Sequence, residues 1–171
     1  MEYITIVDEA GKILGVEEKI KCHLGEGILH SAFLVMMFNE HDEIVLAQRS
    51  PEKMLWPDFW DGTVASHYHT DVPRAERVQQ RILYETGARC RQLKYLFKFR
   101  YQAEFEGIGS ENEICDVFEA KDLRSEHLVP NESEISEYRF VKIPDLVDEI
   151  EANSQKIAPW FLIAFKKYLQ A

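Results

Sequence analysis

The stretch that most constrains this chain is Ala32-Phe33-Leu34-Val35-Met36-Met37-Phe38, an unbroken apolar run between Ser31 and Asn39. In an extended strand successive side chains leave opposite faces, so a run without polar alternation has no face to give to water. It predicts a strand buried on both sides, and such a strand needs a sheet with other elements packed over it. The run is far short of the roughly 18 apolar residues expected of a membrane-spanning helix. Asn39-Glu40-His41-Asp42-Glu43 then separates it from Ile44-Val45-Leu46-Ala47, the pattern of a hairpin whose first strand is the buried one.

Other elements supply the neighbours. Residues 3–7 and 13–16 read as strands around the turn Asp8-Glu9-Ala10-Gly11-Lys12. Residues 73–87 read as a helix, with Pro73 in the first turn, Ala75, Val78 and Ile82 at helical spacing, and Gly87 as the stop. Residues 94–105 and 112–120 read as a second hairpin turning at 106–110, and 138–141 as a last strand. Pro144 opens one helix, and Ala158-Pro159-Trp160 starts an apolar final one. No repeat and no Gly/Ser/Pro-rich linker divides the chain, so the expectation is one domain over 1–171 of class α/β (α+β), a mixed β-sheet with helices packed on it.

Composition narrows the function. Twenty Lys+Arg against thirty Asp+Glu give a net charge of −10, a body that repels a phosphate backbone, so no nucleic-acid partner is expected. Three cysteines, Cys22, Cys90 and Cys115, without CxxC spacing indicate neither a disulfide framework nor a thiolate zinc site, which suits a reducing compartment. Met1-Glu2-Tyr3 lacks the basic start of a secretion signal. The expectation is a cytoplasmic protein with no membrane partner.

Several polar residues could carry chemistry. Glu111 and Glu113, two apart on a predicted strand, share one face of the sheet. Two like charges there mean either a shared cation or a solvated outer face, and with His23, His30, His67 and Glu85 they form a set of donors suited to Mn, Zn, Fe or Mg. His67 and His69 are either a ligand pair or loop residues. Lys19, Arg49, Lys53 and Arg81 are either surface charges or anion anchors. Arg81 and Glu85 lie four apart on one helix face, where they could hold phosphate oxygens and the accompanying cation, or simply pair with each other for about 0.3–0.5 kcal/mol.

Taken in order, these residues resemble a known family. Glu18-Lys19, then His23 and His30 before Ser31-Ala32-Phe33, then Gln48-Arg49 with Lys53, Trp56-Pro57 and Phe59-Trp60 form the first half. His67, Arg81 with Tyr84-Glu85-Thr86-Gly87, Phe99-Arg100-Tyr101, Glu111-Asn112-Glu113-Ile114-Cys115 and Pro159-Trp160 complete it. From about Ile4 to Tyr168 the chain resembles a type 1 isopentenyl-diphosphate isomerase, a branch of the Nudix superfamily. The resemblance implies a Nudix-fold α/β/α sandwich acting on a prenyl or other small diphosphate as monomer or homodimer. It implies an octahedral Mn or Zn site of His23, His30, His67, Glu111 and Glu113, with Glu85 serving Mg that accompanies the diphosphate. Lys19, Arg49, Lys53 and Arg81 would hold diphosphate oxygens, Glu113 and Tyr101 would handle the proton, and Trp160 would lie over the hydrocarbon end.

One position departs. The isomerase reaction needs proton carriers on both faces of the double bond, and where the family has a Cys for the second face this chain has Ala65, in Thr63-Val64-Ala65-Ser66-His67. The hydrolase motif of the superfamily is also eroded: in its register the first Gly is Ser66, the next Glu is Val72, and only Glu85 and Gly87 of its last part are present. Three readings stand: an isomerase-like enzyme with altered outcome, a hydrolase of a (nucleoside) diphosphate linkage, and a non-catalytic metal-binding descendant.

Overall fold

The computed structural model describes residues 1–170, apart from the side chain at 122, so the last residue of the expected domain lies outside it. Its centre is β3 (His30–Asn39), in which every residue is buried. One edge of β3 runs parallel to β8 (Gly109–Leu123) from His30↔Glu113 to Asn39↔Leu123. The other edge is shared in succession: β1 (Tyr3–Val7) meets it at Ile6↔His30, β6 (Val64–His67) pairs antiparallel from Ala32↔His67 to Val35↔Val64, and β4 (Ile44–Arg49) takes the end at Met37↔Val45 and Phe38↔Ile44. The expected 32–38/44–47 hairpin is therefore paired at only two positions. The two strands part there because β3 goes on with β6 from Val35 and β4 with β5 at Ala47 and Gln48, while β9 (Ile135–Val141) pairs along the other edge of β4.

The rest of the sheet grows outward. β2 (Ile13–Glu18) covers the far edge of β1, β5 (Trp60–Asp61) the end of β4, and β7 (Gln92–Phe105) the outer edge of β8. The β7–β8 turn is tighter than the sequence predicts, since β8 resumes at Gly109.

Both faces of β3 are used, as its composition demands. Ala32, Leu34, Met36 and Phe38 pack in a cluster with Leu146 of α3 (Ile143–Ala152) and Trp160, Phe161, Ala164 and Phe165 of α4 (Pro159–Tyr168). Phe33, Val35 and Met37 pack on the other side against Val78 and Ile82 of α2 (Arg74–Thr86). Each fully buried Leu, Met or Phe contributes roughly 1.5–3 kcal/mol, so the two-sided strand anchors an α/β/α sandwich. Among the described residues no helix is long and apolar enough to cross a membrane.

Two details of α2 differ from the sequence reading. Pro73 is the residue before the helix, its ψ of 136° extended and its carbonyl accepting from Arg77 N–H at 2.9 Å. Arg74, the first helical residue, is tied instead to Asp116 Oδ2 at 2.9 Å. Ala75 is exposed and the buried stripe begins at Val78, because this polar anchor, not apolar contact, holds the first turn. Gly87 ends the helix as expected, at φ 68° with its N–H on Leu83 O.

Candidate metal centre

Three strand ends and one short helix converge on a single buried point. α1 (Lys19–His23) ends on His23, β3 begins with His30, β6 ends with His67, and Glu111 and Glu113 leave β8 on the same face. Register does the assembly, since His30 is the partner of Glu113 and Ala32 that of His67. Five donor atoms, one from each of these residues, lie within 4.8 Å of one another, and all five residues are buried.

Hydrogen bonding fixes what those atoms present. His23 Nδ1 lies 2.6 Å from Lys19 O and His30 Nδ1 2.7 Å from Ile28 O, so each Nδ1–H donates to a carbonyl and each Nε2 faces inward. His23 Nε2 is 3.0 Å from Glu111 Oε2, and His30 and His67 Nε2 are 3.2 and 3.1 Å from Glu113 Oε1. Burial, with His30 and His23 adjacent, pushes His67 well below the ordinary imidazole range, so it is neutral. Burial pushes His23 down too, but Glu111 more than reverses it, and Glu113 is likewise held below the usual carboxylate range by His30 and Tyr101 against its burial. His30 Nε2, His67 Nδ1 and Glu111 Oε2 are buried without a hydrogen-bond partner.

A cation is what such a set fits. Inward lone pairs of imidazole and carboxylate repel unless something positive lies between them, and leaving them so costs several kcal/mol. Two donors each about 2.1 Å from one ion, at right angles, stand about 3.0 Å apart, the spacing these contacts show. The carbonyl partners of His23 and His30 are the outer contacts that orient metal-bound imidazoles.

Four residues of the cluster, His23, His67, Glu111 and Glu113, line a cavity of about 370 Å³. Lys19, Arg49, Lys53 and Arg81 line it together with Ala65, Tyr101, Cys115 and Trp160. The four cations therefore meet in one place, and each already has an acidic partner. Lys19 pairs with Glu2 at 3.0 Å and Lys53 with Glu134. Arg81 pairs with both Glu85 and Glu134 at 2.7 Å, so the intrahelical pair exists and is part of a larger network. Arg49 reaches Trp56 O, Leu55 O and Asp61 Oδ2 at 2.9, 2.8 and 3.3 Å.

Tyr101 donates to Glu113 Oε2 at 2.5 Å, and burial beside that carboxylate raises its hydroxyl well above the ordinary phenol range. Trp160 donates to Asp61 at 2.9 Å, which sets its indole on the cavity wall. Asp61 itself is pushed up to about 6 by burial, against the pull of Arg49. Burial also raises the Cys115 thiol well above its usual range, so it stays protonated.

Ala65 lines both the cavity and a smaller recess of about 10 Å³, as Arg49 and Lys53 do, and the recess is also lined by Asp61, Glu85 and Glu134. Glu85 is outside the five-residue cluster, and burial pushes it up to about 7 against Arg81. His69 is outside it too, held by Arg77 at 2.8 Å and Glu2 at 3.3 Å, which decides for the loop reading. Sequence reading misses Glu2, Asp61 and Glu134, since nothing local distinguishes them among thirty acids.

Comparison with known proteins agrees with the geometry. The NUDIX domain family matches residues 28–161. An isopentenyl-diphosphate Delta-isomerase of Haloarcula marismortui is 33% identical over 96% of this chain and 89% of its own length. Isopentenyl-diphosphate Delta-isomerase 1 of Photorhabdus laumondii is 32% identical over 99% and 96%. Among solved structures, a Deinococcus radiodurans protein superposes with TM-score 0.78 at 16% identity, covering 97% of this chain and 98% of that one. A MutT protein of Methanosarcina mazei gives 0.66 at 17% over 83% and 94%, and these two likenesses speak for the fold alone. With the His/Glu cluster, the cavity and these relatives in view, the chain belongs to the Nudix family, on the branch that holds the isopentenyl-diphosphate isomerases.

Proposed function

We propose that this chain, as a single domain over 1–171, is an enzyme that holds isopentenyl diphosphate or a close prenyl relation and protonates its double bond from Glu113. The observation that carries this reading is the mixed lining of one cavity. Four cations gather at it in a chain of net charge −10, while Trp160, Leu55 and the Tyr101–Glu113 pair line it too. Its volume of about 370 Å³ suits a small ligand. His23, His30, His67, Glu111 and Glu113 would hold Mn or Zn, and Glu85 would serve Mg, supplying positive charge that offsets the buried carboxylates and the diphosphate.

Glu113, a carboxylate at rest, first takes up a proton from solvent and then passes it to the terminal CH₂ of the alkene, whose π electrons form the new C–H bond and leave a tertiary carbocation. Tyr101 orients that carboxyl through its hydroxyl, and the Trp160 face stabilises the cation by about 0.5–2 kcal/mol. The cation must then lose a proton. From the new methyl group Glu113 can take it back and regenerate the starting alkene. The allylic isomer requires a base on the other face, and the Ala65 methyl cannot be one.

A specific outcome follows in deuterated water. The native chain incorporates deuterium into the terminal CH₂ of isopentenyl diphosphate without forming the allylic isomer. Ala65→Cys gains isomer formation, by about 10²–10⁴-fold over background, the usual worth of a placed acid or base. Release of phosphate in place of exchange would move the assignment to hydrolysis, although of the α2 glutamates only Glu85 is buried. Binding with neither exchange nor hydrolysis, in folded and metal-loaded protein, would leave the non-catalytic reading.

A further inference from the structure

We infer that Glu134 is the positioning residue of the diphosphate anchor, gripping Lys53 and Arg81 from behind so that their remaining N–H groups serve the cavity. The inference rests on the reading of these cavity cations as the diphosphate anchor. Glu134 Oε2 accepts from Lys53 Nζ and Oε1 from Arg81 Nη2 at 2.7 Å, so one carboxylate bridges two cations that would otherwise repel. Lys53 and Arg81 line the main cavity, whereas Glu134 lines only the smaller recess, whose lining also includes Lys53 and Ala65. Glu134 thus touches both cations and is absent from the lining of the main cavity.

Its backbone is fixed to the segments that carry both cations. Ser50 N–H donates to Glu134 O at 2.9 Å, and Lys53 N–H to Ser50 O at 3.1 Å, which joins Glu134 to the Lys53 loop. Asn131 accepts from Glu134 N–H at 2.8 Å and donates to Glu85 O at 2.9 Å, which joins the same turn to the end of α2. Donor counting leaves room for a ligand. Arg81 uses Nε on Glu85 and Nη2 on Glu134 and Glu85, while Nη1 makes no hydrogen bond among the described residues. Lys53 has three N–H groups and uses one. A lysine on a flexible stem gains most from such a fixture.

The test is calorimetric titration of the full chain with inorganic diphosphate and Mg. Glu134→Gln should weaken binding by about 10–100-fold, the usual effect of losing an outer partner that orients a binding group. Metal uptake at the His/Glu cluster should not change. Glu134→Asp, which keeps the charge one methylene short, should recover part of the loss, and it carries the test if the glutamine variant does not fold. In a Lys53→Met/Arg81→Met background the Glu134→Gln effect should disappear, because nothing remains to be positioned. Equal or tighter binding in Glu134→Gln makes the carboxylate a bystander or competitor and overturns the inference alone, as does an undiminished effect in the double background. Failure of the native chain to bind diphosphate overturns it together with the diphosphate reading.

Discussion

Gly109 links the β7–β8 turn to the metal centre, and replacing it tests that link. A Cβ added there would fall well inside 3.0 Å of the His23 carbonyl oxygen, a distance real Cβ atoms do not adopt. The obstacle is backbone, so the end of α1 and the start of β8 must part, and His23 moves with the carbonyl. Forcing a methyl into such a contact costs typically about 1–3 kcal/mol. For a chain of this size each kcal/mol lowers Tm by about 2–4 °C, so Gly109→Ala should melt about 2–12 °C lower. A displaced ligand should also weaken Mn or Zn binding at least about tenfold. Gly107→Ala is the control: φ is +73° and nothing lies within 4 Å of its added Cβ. That variant meets only left-handed strain of about 1–2 kcal/mol, so it should lose stability without losing metal. Melting curves and metal titration of both proteins decide the matter. If Gly109→Ala binds metal as the native chain does, or Gly107→Ala loses as much affinity, steric transmission through His23 is wrong.

Saturating the native chain with Mn or Zn at about 100 times Kd should add about 2.7 kcal/mol, a rise in Tm of about 5–11 °C. His30→Ala should abolish that rise, and elemental analysis showing the same metal content in both proteins would refute the ligand assignment. Burial pushes Glu134 up, but Lys53 and Arg81 more than reverse it, to about 2 from an ordinary 4.5. Its ion pairs therefore stabilise the fold above pH 4.5, and that contribution disappears as pH falls toward 2. The stability gap between the native chain and Glu134→Gln should be full at pH 7 and closed near pH 2, and a gap independent of pH would remove the electrostatic explanation.

The fold was legible where hydrophobic pattern leaves one solution. The run 32–38 demanded cover on both faces, and Met37 and Leu34 indeed lie in opposite clusters under α2 and α4. Pattern did not reveal which strands lie beside β3. An apolar strand accepts any neighbour, and the parallel pairing with β8 joins residues far apart in the chain. Short elements were invisible for a related reason. β5 has two residues and α1 five, too few for a period to show, and their places depend on partners such as Asp61 on Ala47.

The two ends of the site were legible to different degrees because they are built differently. The candidate metal cluster depends on register: Glu111 and Glu113 share a face by the period of a strand, and a one-residue slip of β8 against β3 would take Glu113 away from His30. A construction that strict leaves a fixed order of residue types in the sequence. The cavity cations depend on side-chain pairing instead, Lys53 with the sequence-distant Glu134 and Arg49 with Asp61. Any of many acids could have served, so the anchors stand out in the sequence while their partners do not. Ala65 lies at the boundary of the two, with His67 of the metal cluster two residues along the same strand and Glu134 across the recess. On the proposed reading, a change of side chain there would remove a proton carrier without disturbing the register that builds the His/Glu cluster or the pairs that hold the cations. On the proposed function, that separation would let the pocket keep its cations and its His/Glu cluster while the reaction stops after the first proton transfer.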